Sequence, residues 1–457
     1  MRDALSRAFA AAAEALAAGP SARWPAEACD LLRFLGIADP ADVERDRDLA
    51  RLVAIAARLE RLFAIPVPDA PGLACFGAQV NTDAFDVPQA HRACVSGVGA
   101  DRLAALRACV AEAAEFVCQF ARVDEPRASA VACDLPDEAL AAAWCDLGQD
   151  QGEGDGEAGD GSPRVAARPF EGGAPVGLPA GLCWRNVEGD AGLRPAFAPG
   201  LGVAAGVDPR TASQRAVLEW IERDAVALWW RGGRRARSVV LERLVDAGIP
   251  ERMQAYRGGL RNRRTWFLDL TTEVAVPVVA ALSCGPDGRG FAYGFAARLT
   301  LEEALRAAFE ELLQIELADR LVAAKRAEGG DDALNAVDRR HLERRDTVTD
   351  AWEILHPSRI ADAVPGTGDD PARDRDAEES STDPATVLAR RLHASGCRAH
   401  VVDLTREDLG VPVMRAIVTG LQPDPSPRVS ARLQRQRDAG TKGGTTATIA
   451  GDRVRLY

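Results

Sequence analysis

No CxxC pair occurs in the sequence, although it holds ten cysteines: Cys29, Cys75, Cys94, Cys109, Cys118, Cys133, Cys145, Cys183, Cys284 and Cys397. Its five histidines, His91, His341, His356, His393 and His400, add no finger-like spacing, which excludes the common zinc modules. Most of the cysteines sit among apolar neighbours, as in GLACFG and ALRACV, and read as reduced thiols packed as small hydrophobes. No apolar run is long enough to span a bilayer. The start, MRDALSRAFAAAAEALAAG, is Ala-rich but broken by Asp3, Arg7 and Glu14. It does not read as a signal peptide, and the expected location is the cytoplasm. A basic excess is also missing, since 56 Lys and Arg face 68 Asp and Glu for a net charge of -12. Neither nucleic acid nor an anionic membrane is therefore expected as a partner.

What is present is an ordinary globular composition. The 457 residues are 47% hydrophobic and 27% charged, enough for two or three domains or one large enzyme. Residues 148–164 and 365–386 are acidic, rich in Gly, Pro or Ser, and have little to bury. Both are expected to be mobile surface insertions. The first 63 or so residues alternate helical patterns with Pro-containing turns. Strand signals come later, in TWFLDL (Thr265 to Leu270), VAVPVVAALS (Val274 to Ser283) and GFAYGFAA (Gly290 to Ala297). Thr300 to Arg326 reads as one long helix, opening with a Thr300/Glu303 capping box. DLTTEVAVPVVAA (Asp269 to Ala281) and DLTREDLGVPVMRA (Asp403 to Ala416) form a weak repeat, each a strand, a turn and a second strand. The expected class is α+β, with antiparallel sheets covered by helices.

One stretch poses a physical problem. AVLEWIERDAVALWW (Ala216 to Trp230) carries Glu219, Glu222 and Arg223 on one face of an otherwise apolar helix. Carboxylates taken into such surroundings are costly unless something compensates them. Two further helices repeat the pattern: Glu112 and Glu115 in ALRACVAEAAEFVCQF, and Glu311 and Gln314 in AAFEELLQIELA. Spacing alone permits two readings. Each pair is a solvated helix face, or the pairs supply oxygen ligands to a hard cation such as Mg2+, which commonly bridges nucleotide phosphates.

The segment GLGVAAGVDPRTASQRAVLEWIERDAVALWWR resembles the signature of the YcaO family, a Gly-rich turn followed by a helix carrying ExxERDA. SGVGADRLAALRACVAEAAEF resembles its SxxxExxER-type helix, FEELLQIELA its ExxQ helix, and GVPVMRAIVTGLQP its C-terminal strand with a GLxP-like turn. The landmarks run in family order over about Ala74 to Pro425. The resemblance divides the chain into an N-terminal helical region (1–73), a YcaO-like domain (74–425) and a C-terminal tail (426–457).

It implies ATP- and Mg2+-dependent activation of a peptide backbone amide during maturation of a ribosomally made precursor, giving an azoline or a thioamide. Carried over by position, Glu112, Glu115, Glu219, Glu222, Glu311 and Gln314 would hold Mg2+ or the ATP phosphates, the glutamates as metal ligands. Arg223 would contact a phosphate or pair with one of these carboxylates. The implied partners are the precursor peptide and a substrate-presenting or sulfur-delivering protein of the TfuA type; a homodimer is compatible.

The chain departs from the family pattern at Ala108 (Ser in relatives), Phe116 (Arg), Gly200-Leu201-Gly202 (Ser-Asn-Gly) and Glu316 (Arg). These differences suggest a partly altered nucleotide site, and the alternative function is a non-catalytic binding or scaffold subunit of a peptide-modifying complex. The tail after Pro427 carries no proline and an excess of basic residues. It reads as solvated, so activity independent of the terminal carboxylate, and a thioamide or other non-azoline product, are expected.

Overall fold

The computed structural model describes residues 2–19, 23–87, 90–121, 137–149, 164–185, 194–346, 353–356, 383–442 and 456. Helices α1 (Arg2–Ala18), α2 (Ala26–Phe34), α3 (Pro40–Arg45) and α4 (Arg47–Ala57) come first. α4 is amphipathic, burying Leu49, Leu52, Val53, Ile55 and Ala56, and the Asp46 side chain caps it by accepting from Asp48 N and Leu49 N. Strands β1 (Arg61–Ala64), β2 (Ala74–Asn81) and β3 (Arg92–Gly99) form an antiparallel sheet in that order and lead into α5 (Arg102–Cys118).

Next come α6 (Glu138–Leu147), β4 (Gly148–Gln149), β5 (Arg164–Pro169), β6 (Val176–Pro179), β7 (Arg194–Pro195), β8 (Val203–Ala205) and α7 (Pro209–Trp230). β9 (Arg237–Ser238), α8 (Leu241–Asp246), α9 (Ile249–Arg257), β10 (Arg264–Asp269), β11 (Val278–Cys284) and β12 (Ala292–Ala297) precede the long α10 (Leu301–Gly329). The chain continues with α11 (Ala336–Arg345), α12 (Pro384–Ala394), β13 (Arg398–Asp403), β14 (Val413–Thr419) and α13 (Ala431–Lys442).

The larger sheets run β12-β11-β10-β9 and β6-β5-β13-β14-β8, and β4 pairs with β7. The α+β expectation holds. The expected strand from Val274 begins only at Val278, because Ala275 takes a positive φ of 61° and Ala275 N donates to Thr272 O in a turn. The Thr300 cap is half of the expected box: its side chain accepts from Glu303 N. The expected insertions fall mainly on residues outside those described, and at their edges Gly148–Gln149 form β4 and Pro384 opens α12. Six cysteines are buried and Cys29 is half-buried, as expected of most of them, while Cys94 and Cys145 are exposed. Cys133 lies outside the described residues. No described helix is long and apolar enough to cross a membrane.

The repeat is structural. In both hairpins the Asp carboxylate accepts from the Thr backbone at 2.8 Å (Asp269 from Thr271 N, Asp403 from Thr405 N). In both, the Thr hydroxyl accepts from the returning valine at 3.2 Å (Thr271 from Val278 N, Thr405 from Val413 N). The two hairpins also hold equivalent places. β10-β11 flanks β12, which leads into α10, and β13-β14 flanks β8, which leads into α7. With β2-β3-α5 this makes three strand-to-helix units. Each helix starts on a side-chain cap: Asp101 to Ala104 N, Asp208 to Thr211 N, Thr300 to Glu303 N.

β11 and β12 are buried throughout because both faces are covered. Val278, Ala280, Leu282 and Phe295 face the larger core with α7, and Val279, Ala281, Ala292 and Ala296 face a second core under α10. Helix and strand approach closely at Gly294 and Gly97. A Cβ on Gly294 would lie 2.2 Å from both Ala308 O and Leu312 N, and one on Gly97 would lie 2.2 Å from Cys109 N. These are backbone atoms that no rotamer change can move. Gly294→Ala is expected to cost about 3 kcal/mol, the upper end of overpacking penalties. A melting temperature equal to that of the parent would show that α10 can lift off its strand freely.

Candidate functional site

Glu112, Glu219 and Glu311 play one role in three places. Each accepts through Oε2 from a backbone N–H at 3.0 Å: Glu112 from Ser96 in β3, Glu219 from Gly202 beside β8, and Glu311 from Phe295 in β12. Each carboxylate thus ties its helix back to the strand that leads into it. The second member of a pair reaches the neighbouring unit. Glu115 Oε1 accepts from Ala205 N of β8 at 2.7 Å, and Gln314 Nε2 donates to Ser96 Oγ of β3 at 2.7 Å. α7 closes the circuit by packing on β12. The three helices therefore converge, and all seven residues singled out in the sequence surround one region.

That arrangement answers part of the compensation problem. A backbone N–H offsets some of the cost of a buried carboxylate. Arg223 supplies more, with Nη2 3.5 Å from Glu219 Oε1 and Nε 3.7 Å from Glu222 Oε1. It is not enough. Desolvation still raises Glu115 to about 8 against the Ala205 hydrogen bond, with Glu219 and Glu112 adding like charge. Desolvation raises Glu222 to about 8 as well, opposed by Arg223 and assisted by Glu311 and Glu219. Glu219 and Glu311 are raised by the same burial, opposed by Arg223. Glu112 keeps an exposed side chain yet lies among enough protein that desolvation lifts it to about 7.

The sign of the linked pH effect follows. A carboxyl whose folded pKa lies above its unfolded value carries a penalty that is absent below the unfolded pKa and complete above the folded one. Without ligand, the protein should lose stability as pH rises from about 5 to about 9, chiefly through Glu115 and Glu222, and bound Mg2+-ATP should flatten that decline. Melting curves across the range check this. A flat ligand-free profile would refute it.

The donor set suits a hard cation. Glu112 Oε1, Glu115 Oε2 and Glu311 Oε1 make no hydrogen bond among the described residues, so these three keep an oxygen to offer, whereas the second oxygen of Glu219 meets Arg223. No three His, Cys, Asp or Glu side chains among the described residues are gathered as a ready metal cage. The five glutamates expected as metal ligands are therefore not gathered as one cage, and a bound Mg2+ would take one or two of them, with phosphate oxygens and water completing its shell. Two cavities elsewhere, one beside Glu316 and Arg320 and one beside Trp229 and Arg235, are lined by none of the seven residues.

Sequence reasoning missed several positions. Asp224, within ERDA, is fully buried and accepts from Gln422 N at 2.8 Å and Arg432 Nε at 2.9 Å, which fastens α7 to the GLQP turn. Glu316 faces away from the ring. It takes both Arg257 Nη atoms at 3.0 Å, Arg263 Nε at 3.0 Å and Ser283 Oγ at 2.5 Å. Leu456 corrects the reading of a solvated tail. It is buried, and its carbonyl accepts from Tyr293 OH in β12 and from Arg344 Nη1. Tyr293 itself lies within electrostatic reach of Glu311 and Arg223.

Several solved structures share this fold. A heterocyclase solved in complex with substrate and cofactor is 21% identical, with a TM-score of 0.59 over 85% of this chain and 53% of its own. The heterocyclase TruD is 20% identical, with a TM-score of 0.51 over 74% of this chain and 48% of its own. The Escherichia coli microcin synthetase McbBCD complex with pro-MccB17 bound is 14% identical, with a TM-score of 0.52 over 78% of this chain and 87% of that one. The chain spans about half the length of the first two. No curated protein matches. Residues 96–422 match the model of a family described as YcaO cyclodehydratase, ATP- and Mg2+-binding. From β3 to the GLQP turn, with ATP and Mg2+ as its cofactors, the chain belongs to the YcaO family.

Proposed function

We propose that this protein activates a backbone amide of a ribosomally made precursor peptide, using ATP and Mg2+, and that Glu112, Glu115, Glu219, Glu222, Glu311 and Gln314 hold the cation and phosphates. The observation that carries the reading is the ring of carboxylates, in which Glu112, Glu115 and Glu311 are each anchored through one oxygen to a strand and make no hydrogen bond at the other among the described residues. Bound ATP supplies the phosphoryl group that turns the amide oxygen into a leaving group. The chain's own work is to fix the polyphosphate, to neutralise developing charge through Arg223, and to hold the peptide in line. A nucleophile adds to the amide carbon, the oxygen leaves as phosphate, and the proton passes to a nearby base. With a neighbouring Cys, Ser or Thr as nucleophile, the net change is loss of one water and an azoline. With sulfide, delivered by a partner of the TfuA type, it is exchange of oxygen for sulfur and a thioamide.

The azoline is the better-supported product. The case for a thioamide rested on a solvated tail, and the burial of Leu456 against Tyr293 removes that argument. A similarly folded protein was solved with pro-MccB17 bound, which supports a peptide substrate and partner subunits here. Deleting Arg453 to Tyr457 should therefore abolish modification while leaving the fold intact, read by mass spectrometry of the precursor and by circular dichroism. Full activity in the truncated chain, or a product gaining sulfur without losing water, would overturn the azoline assignment. The second reading, a non-catalytic subunit, draws on Phe116, whose ring packs edge-on against Phe120 at 5.2 Å and offers no polar ligand. Failure of the wild-type chain to consume ATP with its precursor and partner subunits present would favour it.

A further inference from the structure

The carboxylate face of α5 does not end at Glu115. Gln119 lies one turn further along that face, 5% exposed, and its Nε2 donates to Glu115 O at 3.1 Å. Its Oε1 accepts from Arg185 Nε at 2.8 Å, and its backbone carbonyl accepts from Arg185 N at 2.7 Å. The guanidinium of Arg185 lies over two rings, 5.5 Å from the centroid of Phe116 and 5.7 Å from that of Phe120. Its other two nitrogens have no hydrogen bond and no carboxylate partner among the described residues. Burial lowers its pKa, so the charge is held at a cost.

The surroundings set the place. A Cβ on Gly200 would be 4.0 Å from Gln119 Nε2, so the Gly200–Gly202 turn lies alongside, and Gly202 N is the anchor of Glu219. Arg415, fully buried, donates to Pro199 O at the head of this turn at 2.9 Å and lies within electrostatic reach of both Arg185 and Glu219. A desolvated guanidinium, gripped at one nitrogen and laid on aromatic rings, with no other partner for its fork among the described residues, is a form suited to an anion.

We propose that Arg185, oriented by Gln119 over Phe116 and Phe120, is a phosphate-binding residue at the α5 end of the carboxylate ring. The inference rests on the nucleotide reading given above. It gives Phe116 a use: the ring supports a guanidinium brought from another segment. It also separates labour within the site. The carboxylates face the cation, and Arg185 faces phosphate oxygens that the cation leaves uncovered.

The test measures Mg2+-ATP and adenosine binding to the full chain by calorimetry, for wild type, Arg185→Ala and Arg185→Gln. Both variants should weaken Mg2+-ATP by about tenfold or more while adenosine binding and the ligand-free melting temperature stay near wild type. Arg185→Gln keeps a donor toward Gln119, so it carries the test if the alanine variant folds poorly. Mg2+-ATP affinity within about twofold of wild type would overturn the proposal, as would equal losses for ATP and adenosine, which mark a packing role. Wild type that fails to bind Mg2+-ATP would sink the nucleotide reading and this inference with it. Normal wild-type binding with unaffected variants would sink this inference alone.

Discussion

Glu222→Gln should move stability and function in opposite directions. Glu222 is 8% exposed, held near two like charges, and pushed up to about 8 by burial. The amide keeps the volume and removes a charge that is costly to bury without a cation, so the ligand-free variant should melt higher than the parent at pH 8. The same change removes a proposed cation ligand. Losing even an outer-shell partner of a metal ligand costs about 10- to 100-fold, so Mg2+-ATP affinity should fall by at least about a hundredfold. The thermal protection it gives, about 2.7 kcal/mol at a hundred times the dissociation constant, should largely vanish. Peptide modification should disappear with it. A variant melting lower than the parent in both states would mark Glu222 as structural.

Glu316→Arg should be the most destabilising single substitution considered for this chain. It introduces the Arg that the family resemblance leads one to expect here, yet it would set a third guanidinium against Arg257 and Arg263 in a site where the Glu316 and Arg257 side chains are 2% and 4% exposed. Breaking a buried pair by removing one partner costs about 3–5 kcal/mol, and reversing its sign costs no less. Exchanging the pair, Glu316→Arg with Arg257→Glu, should recover part of the loss, as measured by urea unfolding. If Glu316→Arg alone were as stable as the parent, the cluster would have to be water-filled. The residue would then be free to serve the neighbouring cavity, which is lined by Arg263, Arg289, Arg320 and Glu316.

The elements of the site were legible because their signals are local. α7 and α10 show in the run of apolar and acidic residues and in caps such as Asp208 and Thr300. The two DLT hairpins show because an Asp that accepts from the Thr two residues on leaves a mark in three letters. What the carboxylates touch was not legible. Glu115 reaches Ala205, 90 residues away, and Gln314 reaches Ser96, 218 residues away. No periodicity carries such a distance. Glu316 shows the same limit from the other side. Its substitution looks like damage to a motif until Arg257 and Arg263 are seen beside it. Arg185 was invisible because its neighbours Gln119, Phe116 and Phe120 belong to another segment.

β8 is three residues long and, among the described strands, pairs only with β14, Val203 to Ala205 facing Arg415 to Val413. Two of the ring's anchors, Gly202 N and Ala205 N, depend on it. During synthesis, then, α5, α7 and α10 all leave the ribosome before the strand that fixes Glu115 and Glu219 has its partner. A nascent chain stopped between Gln314 and Val413 would carry every proposed ligand residue and still lack the β14 partner of β8. Only a chain translated through its second DLT hairpin can pair β8 and so place Gly202 N and Ala205 N, the anchors of Glu219 and Glu115. Glu112 and Glu311, by contrast, take their anchors from β3 and β12, which are made earlier.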